Sequence, residues 1–225
     1  MNQKYELTNE TITVYSRTLY RIKALQSFSD VKEGDLGGYV ESESNLGQHG
    51  NCWIYDEAKV FGGAIVRNNA TVHMNAKVYG TAYINEYAVI SGNATVCQRV
   101  VVSGHATITD ESIINGDAVI DGKAFVGNSA FVDDKTHISG NAKILKYAVV
   151  DGYAYITGDA IIESRHDYMV FQDNWLTGDP FTYTKSNKMW KTIWFYGTSK
   201  ELLEYAYKRS NTSGKNYELY VNLVN

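Results

Sequence analysis

Residues 58–72 read Ala58-Lys59-Val60-Phe61-Gly62-Gly63-Ala64-Ile65-Val66-Arg67-Asn68-Asn69-Ala70-Thr71-Val72. A small residue, a β-branched aliphatic two places on, and a Gly or Asn two places after that return every six positions. Stepping by six from Ala58 to Ala160 finds alanine at 15 of 18 positions, and the exceptions Val100, Ser112 and Thr136 are also small. The companion series from Val60 to Ile162 is Val or Ile at all 18 positions. Two residues before each small residue stands Gly, Asn or Asp in 14 of 18 cases. A register held for over a hundred residues marks a repeat architecture, and the period is too short for any helical repeat.

A strand alternates its faces, so the small residue and the aliphatic point inward while the residue between them points out. A Gly, Asn or Asp that tolerates positive φ then turns the corner. Three such units close a triangular coil of 18 residues, and the 18 units predict six coils. Stacked at roughly 4.8 Å each, they make a prism about 29 Å long. Val40, Leu46 and Cys52 keep the step of six, which predicts a seventh, less regular coil starting near Gly38.

A solenoid exposes open strand edges at both ends and needs caps. Residues 4–24 predict a β-hairpin with its turn at Thr8-Asn9-Glu10, within an N-terminal cap spanning 1–37. The β-helix is expected over 38–163 and an aromatic-rich α+β domain over 164–225. In the latter, Met169–Phe171 and Phe181–Thr184 read as strands joined at Gly178-Asp179-Pro180, with a third strand from Met189 to Tyr196. Thr198-x-x-Glu201 reads as a capping box opening a helix to about Arg209, and a last short helix is expected from Ser213-Gly214. This domain is expected to pack on the prism end or fold back along it.

Composition narrows the function classes. The 225 residues are 44% apolar and 20% charged, which is globular. A net charge of −4 is too mild to predict nucleic-acid binding. No apolar run is long enough to span a membrane. Met1-Asn2-Gln3-Lys4-Tyr5-Glu6 lacks the plan of a secretion signal, and two cysteines make no disulfide framework, so a reducing, cytoplasmic setting is the expectation. One proline against 19 glycines means that corners are built from Gly, Asn and Asp.

The pattern resembles the left-handed parallel β-helix of the hexapeptide-repeat superfamily, whose best-known members are trimeric acyltransferases. It departs from them in one respect: Gly follows the aliphatic residue by two places instead of one. Asp35-Leu36-Gly37-Gly38-Tyr39-Val40-Glu41 and Gly50-Asn51-Cys52-Trp53-Ile54-Tyr55-Asp56 look more like the YdcK-like branch and its phage- or prophage-borne relatives, over roughly residues 4–163. Phe195-Tyr196-Gly197-Thr198 with Glu201-Leu202 also resembles phage-borne chains. The resemblance implies a fold and an oligomer, with a trimer favoured, and an acyltransferase as the activity to test.

Acyltransferases of this superfamily generally use a histidine as general base. His49, His73, His105 and His137 occupy outward positions on differing edges, and no insertion breaks the repeat between 58 and 163. His73 and His137 remain the catalytic candidates, acting at a subunit boundary. The superfamily also includes zinc-dependent carbonic anhydrases, but His73, His105 and His137 are spaced by 32 residues, which does not stack on an 18-residue coil. No metal and no cofactor are expected. Cys52 reads as a buried structural thiol and Cys97 as an outward residue at a corner.

The outward mid-strand positions carry more information. On one face they run Ile65, Tyr83, Val101, Val119, His137 and Tyr155, an apolar and aromatic ladder that reads as an interface. Trp175, Trp190, Trp194 and Tyr196 are the binding candidates of the C-terminal domain. The expected function is a non-catalytic binding or scaffold protein of phage or prophage origin. It would act as a homo-oligomer on a host protein or a small ligand, with interference in a host defence suggested by the resemblance alone. The alternatives are a coenzyme A-dependent acyltransferase and a virion structural component.

Overall fold

The repeat winds into a three-sided parallel β-solenoid of about seven turns, followed by a small α+β region, in a computed structural model that describes residues 3–172 and 179–224. Each side of the solenoid is a stack of two-residue strands. One begins at Lys59–Val60, the second at Ile65–Val66 and the third at Trp53–Ile54. Strands pair with those one coil away, as Val101↔Val119 and Val102↔Ile120 do, which establishes the 18-residue coil. The ladder is regular: Val101 N–H donates to Ala118 O and Ser103 N–H to Ile120 O, both at 2.9 Å.

Inside, the alanine and aliphatic series form one continuous buried core from Ala58 to Ile162. Two polar members of the small series, Ser112 and Thr136, are fully buried without cost to the core. Each hydroxyl donates to a carbonyl of its own corner, Thr109 O at 2.7 Å and Asp133 O at 2.6 Å respectively.

The corner residue is left-handed at every one of the 18 positions from Asp56 to Gly158. The rule holds even where the residue is Met74, Glu86, Gln98 or Lys146, with φ between 57° and 60°. The fold therefore imposes this conformation whatever residue occupies the corner. Along one edge Gly104, Gly122, Gly140 and Gly158 stack directly; a Cβ on Gly104 would stand 2.7 Å from Gly122 O. At five of the seven corners where an acid or amide replaces Gly, the side chain takes a second part. Asp56, Glu86, Asp110, Asn128 and Asp134 each accept the backbone N–H of the corner residue one coil above, at 2.7–3.0 Å.

The first coil departs from the expected register. Val40 pairs with Val60, Leu46 with Val66 and Ile54 with Val72. Val40 and Leu46 thus hold aliphatic places, Cys52 holds a small one, and two extra residues enter between Leu46 and Ile54. A sequence step of six cannot distinguish the two inward series across such an insertion.

The N-terminal strands β1 (Tyr5–Val14), β2 (Arg17–Ala24) and β3 (Leu36–Val40) form an antiparallel sheet that continues into the first side of the solenoid. The hairpin turn lies at Tyr15-Ser16, both with positive φ, and not at Thr8-Asn9-Glu10. The latter stretch is an irregularity inside a continuous strand, polar because that strand faces solvent. A two-residue loop with both φ positive matches the twist of the strands better. Tyr5, Trp53 and Phe28, packed edge to face, plug this end of the core.

The C-terminal region closes the other end and does not run back along the prism. The N–H of Tyr155 donates to Thr182 Oγ1 and that of Ile161 to Ser186 Oγ, both at 2.8 Å. Asp151 N–H reaches the Tyr168 hydroxyl at 3.3 Å. Side-chain oxygens thus replace the carbonyls of a missing next coil. The sheet here has four strands, Tyr168–Gln172, Pro180–Thr184, Met189–Lys191 and Tyr196–Thr198. The single third strand expected from Met189 to Tyr196 is broken by a turn in which Thr192 N–H donates to Phe195 O. Gly178 of the expected turn lies outside the described residues. Helix α1 (Ser199–Arg209) carries the Thr198/Glu201 capping box. Helix α2 (Asn211–Val224) begins two residues earlier than expected and packs its Gly214 against the Tyr207 ring, where a Cβ would stand 2.2 Å from Cδ1.

Candidate contact face and polar sites

Parallel pairing with no register slip places Ile65, Tyr83, Val101, Val119, His137 and Tyr155 side by side along the second face. Each is half-buried by its neighbours, so the ladder is a flat, close-set surface instead of a row of free side chains. Its polar member is tied down: His137 Nε2 lies 2.9 Å from Asp121 Oδ2, and the ring meets Tyr155 edge-on at 6.1 Å. The corresponding positions on the other faces are more mixed and include Lys59, Lys77 and Lys143, although Ile113, Phe131 and Val149 follow one another on the first face.

The remaining histidines are dispersed. His73 stacks on Tyr55, ring centroids 4.3 Å apart and planes within 4°. Burial lowers its pKa, against the opposing charges of Asp56 and Asp30. Tyr55 donates to Asp30 Oδ1 at 2.7 Å, and burial followed by that carboxylate raises the phenol well above its ordinary value. This cluster is a stacked corner, with His73 favoured in its neutral form. His105 stacks likewise on Tyr87 at 4.9 Å. His49 lines an open cavity of about 400 Å³ beside Arg67. His73 and His137 therefore do not converge on one another. Among the described residues no group of three His, Cys, Asp or Glu side chains is placed to hold a metal.

The aromatic candidates divide. Trp190 is fully enclosed, its Nε1 donating to Ser199 Oγ at 3.0 Å, and it centres the core formed with Phe181, Leu202, Tyr217 and Val221. Trp194 stands 78% exposed in the turn after the third strand of this sheet, and Tyr196 is 43% exposed beside Gly158 at the solenoid's end. Trp175 lies outside the described residues. Cys97, expected to be open at a corner, is covered: its Sγ donates to Asn115 Oδ1 at 3.3 Å, and burial raises its pKa against a hydrogen bond with Tyr79.

Sequence reasoning missed Lys4. It is 1% exposed, with Nζ 2.8 Å from Cys52 O and 3.2 Å from Cys52 Sγ. Nothing in a lysine near a chain start signals burial; only the fold of β1 over the first coil puts it there. The corner carboxylates were legible as turn formers, but their grip on the next coil was not.

No family model matches the chain. Over 55 residues the chain is 46% identical to a protein described as uncharacterized acetyltransferase YdcK, from Escherichia coli (strain K12). The matched stretch spans 24% of this chain and 17% of that protein. No helix among the described residues is long and apolar enough to cross a membrane. The six-residue repeat, the parallel solenoid it forms and this partial likeness together fit a hexapeptide-repeat β-helix family.

Proposed function

We propose that this protein is a non-catalytic binding or scaffold protein that assembles with copies of itself through the second face of the solenoid. The observation that carries the reading is the in-register ladder from Ile65 to Tyr155, a contiguous apolar and aromatic surface on a rigid support. Solenoids of this kind are commonly oligomeric, and a trimer is the expected form. Trp194 and Tyr196, held at the capped end, would face a host protein or small ligand. A phage or prophage origin rests on the resemblance of Phe195-Tyr196-Gly197-Thr198 to phage-borne chains. Light scattering tests the assembly: Tyr83→Arg combined with Val101→Glu should lower the mass towards the 25.2 kDa of one chain. An unchanged mass overturns this reading.

A second reading, a coenzyme A-dependent acetyltransferase, is favoured by the description of the matched relative and by His137. That imidazole has a carboxylate partner, as a general base requires for orientation, and lies on the same face. A neighbouring subunit would supply the other wall of a site there. Acetyl-coenzyme A should then raise the melting temperature, and His137→Ala should abolish acetyl transfer. No thermal shift at millimolar ligand removes this reading and leaves the first.

A further inference from the structure

The N-terminal end of the solenoid buries a primary amine against a thiol. Lysine is almost never fully enclosed without an ionic partner, yet among the described residues no carboxylate pairs with Lys4. Instead Nζ donates to the carbonyl oxygens of Cys52 at 2.8 Å and Gly50 at 3.3 Å and lies 3.2 Å from Cys52 Sγ, with the Phe28 ring centroid 4.9 Å away. Cys52 Sγ in turn donates towards Gly47 O and His49 O, at 3.4 and 3.6 Å. Burial lowers the Lys4 pKa, which raises the share of free amine. The cavity of about 400 Å³ lined by Leu46, Gly47, Gln48, His49 and Arg67 borders this loop. Gly47, which lines that cavity, packs on the thiol: a Cβ there would stand 3.4 Å from Sγ.

We propose that Lys4 and Cys52 form an oxidative modification site in which hydrogen peroxide joins Nζ to Sγ through a single oxygen atom, tying β1 to the first coil. The first peroxide oxidises the thiol to a sulfenic acid: an S–O bond forms, the O–O bond breaks and one water leaves. A second then accepts two electrons and two protons as the N–O bond forms, one hydrogen leaving Nζ and one leaving the sulfenic hydroxyl, and becomes two waters. In sum, one amine, one thiol and two peroxides give one N–O–S bridge and three waters. The Nζ-to-Sγ distance is already short enough for a one-atom bridge to close with little backbone movement. The site does not depend on either reading of the function.

Peptide mapping of the peroxide-treated full chain tests the proposal, with Cys97 as the internal comparison. The expected product is a cross-linked species joining the Lys4 and Cys52 peptides, its mass their sum plus one oxygen and minus two hydrogens. A reducing dithiol should release it, and Cys52→Ser and Lys4→Arg should each prevent it, with circular dichroism confirming that the variants fold. If a variant does not fold, the wild-type map alone decides. The proposal is overturned if, at doses that oxidise Cys97, Cys52 stays a thiol or passes to sulfinic or sulfonic acid while the Lys4 amine still takes up an acylating reagent after denaturation.

Discussion

Asp110 Oδ2 accepts the backbone N–H of Asn128 at 2.7 Å, and these residues hold equivalent corners of successive coils. Asn128 Oδ1 then accepts the N–H of Lys146 at 3.0 Å, so the link repeats one coil further on. A left-handed corner costs a non-glycine residue about 1–2 kcal/mol. The contact with the coil above offsets part of that cost, and it explains why acids and amides stand in for glycine here.

Met74 has the strain without the contact, at φ 57° and largely exposed. Met74→Asn should raise stability by about 1 kcal/mol, since Asn tolerates the conformation and can accept the N–H of Gly92. Asp110→Ala should lower it by about 1–2 kcal/mol. Urea midpoints of the two variants would move in opposite directions; equal shifts would show that the corner side chains are passive.

The core makes a contrasting pair. Ile120 is fully buried between coils, and Ile120→Ala should cost about 2–5 kcal/mol through lost burial and a cavity. Tyr147, 82% exposed, should tolerate Ala within about 0.5 kcal/mol. Thermal melts of both variants check the inward and outward assignment of the whole repeat.

Trp190 and Trp194, two of the three tryptophans of the C-terminal region, should separate by quenching. Acrylamide should reach Trp194 and spare Trp190, so Trp194→Ala should lower the quenchable emission without unfolding. Trp190→Ala should instead cost about 3–5 kcal/mol and expose the core around Phe181. Loss of ligand binding in the Trp190 variant alone would therefore report collapse, not contact.

Acid should act at the turn that ends the solenoid. Burial alone would raise the Asp167 carboxyl; the N–H of Glu163, the hydroxyl and N–H of Ser164 and the Lys185 charge outweigh it, and the pKa falls below the usual value. A depressed carboxylate contributes stability above the unfolded pKa of about 3.9, and that contribution is lost as pH drops through the folded value. Asp167→Asn should cost about 1 kcal/mol at pH 7, and the gap from wild type should close on acidification. Parallel stability curves would argue against it. Nature has already placed the amide version at the other end: Ser42 and Asn45 form the same capping box as Ser164 and Asp167.

What the amino-acid order determined by itself was the coil. Ala118, Ile120 and their equivalents must point inward because a strand alternates, and Gly116 or Asp134 must turn because few residues accept positive φ. Both constraints are local, so periodicity alone exposes them. Other features depended on contacts between residues far apart in the chain. The two-residue insertion before Ile54, the hairpin turn at Tyr15-Ser16 and the docking of Thr182 on Tyr155 depend on which edges are left unpaired once the coils stack. The enclosure of Trp190 and the meeting of Lys4 with Cys52 have no local signature, because burial belongs to the assembled ends and not to the residues that fill them.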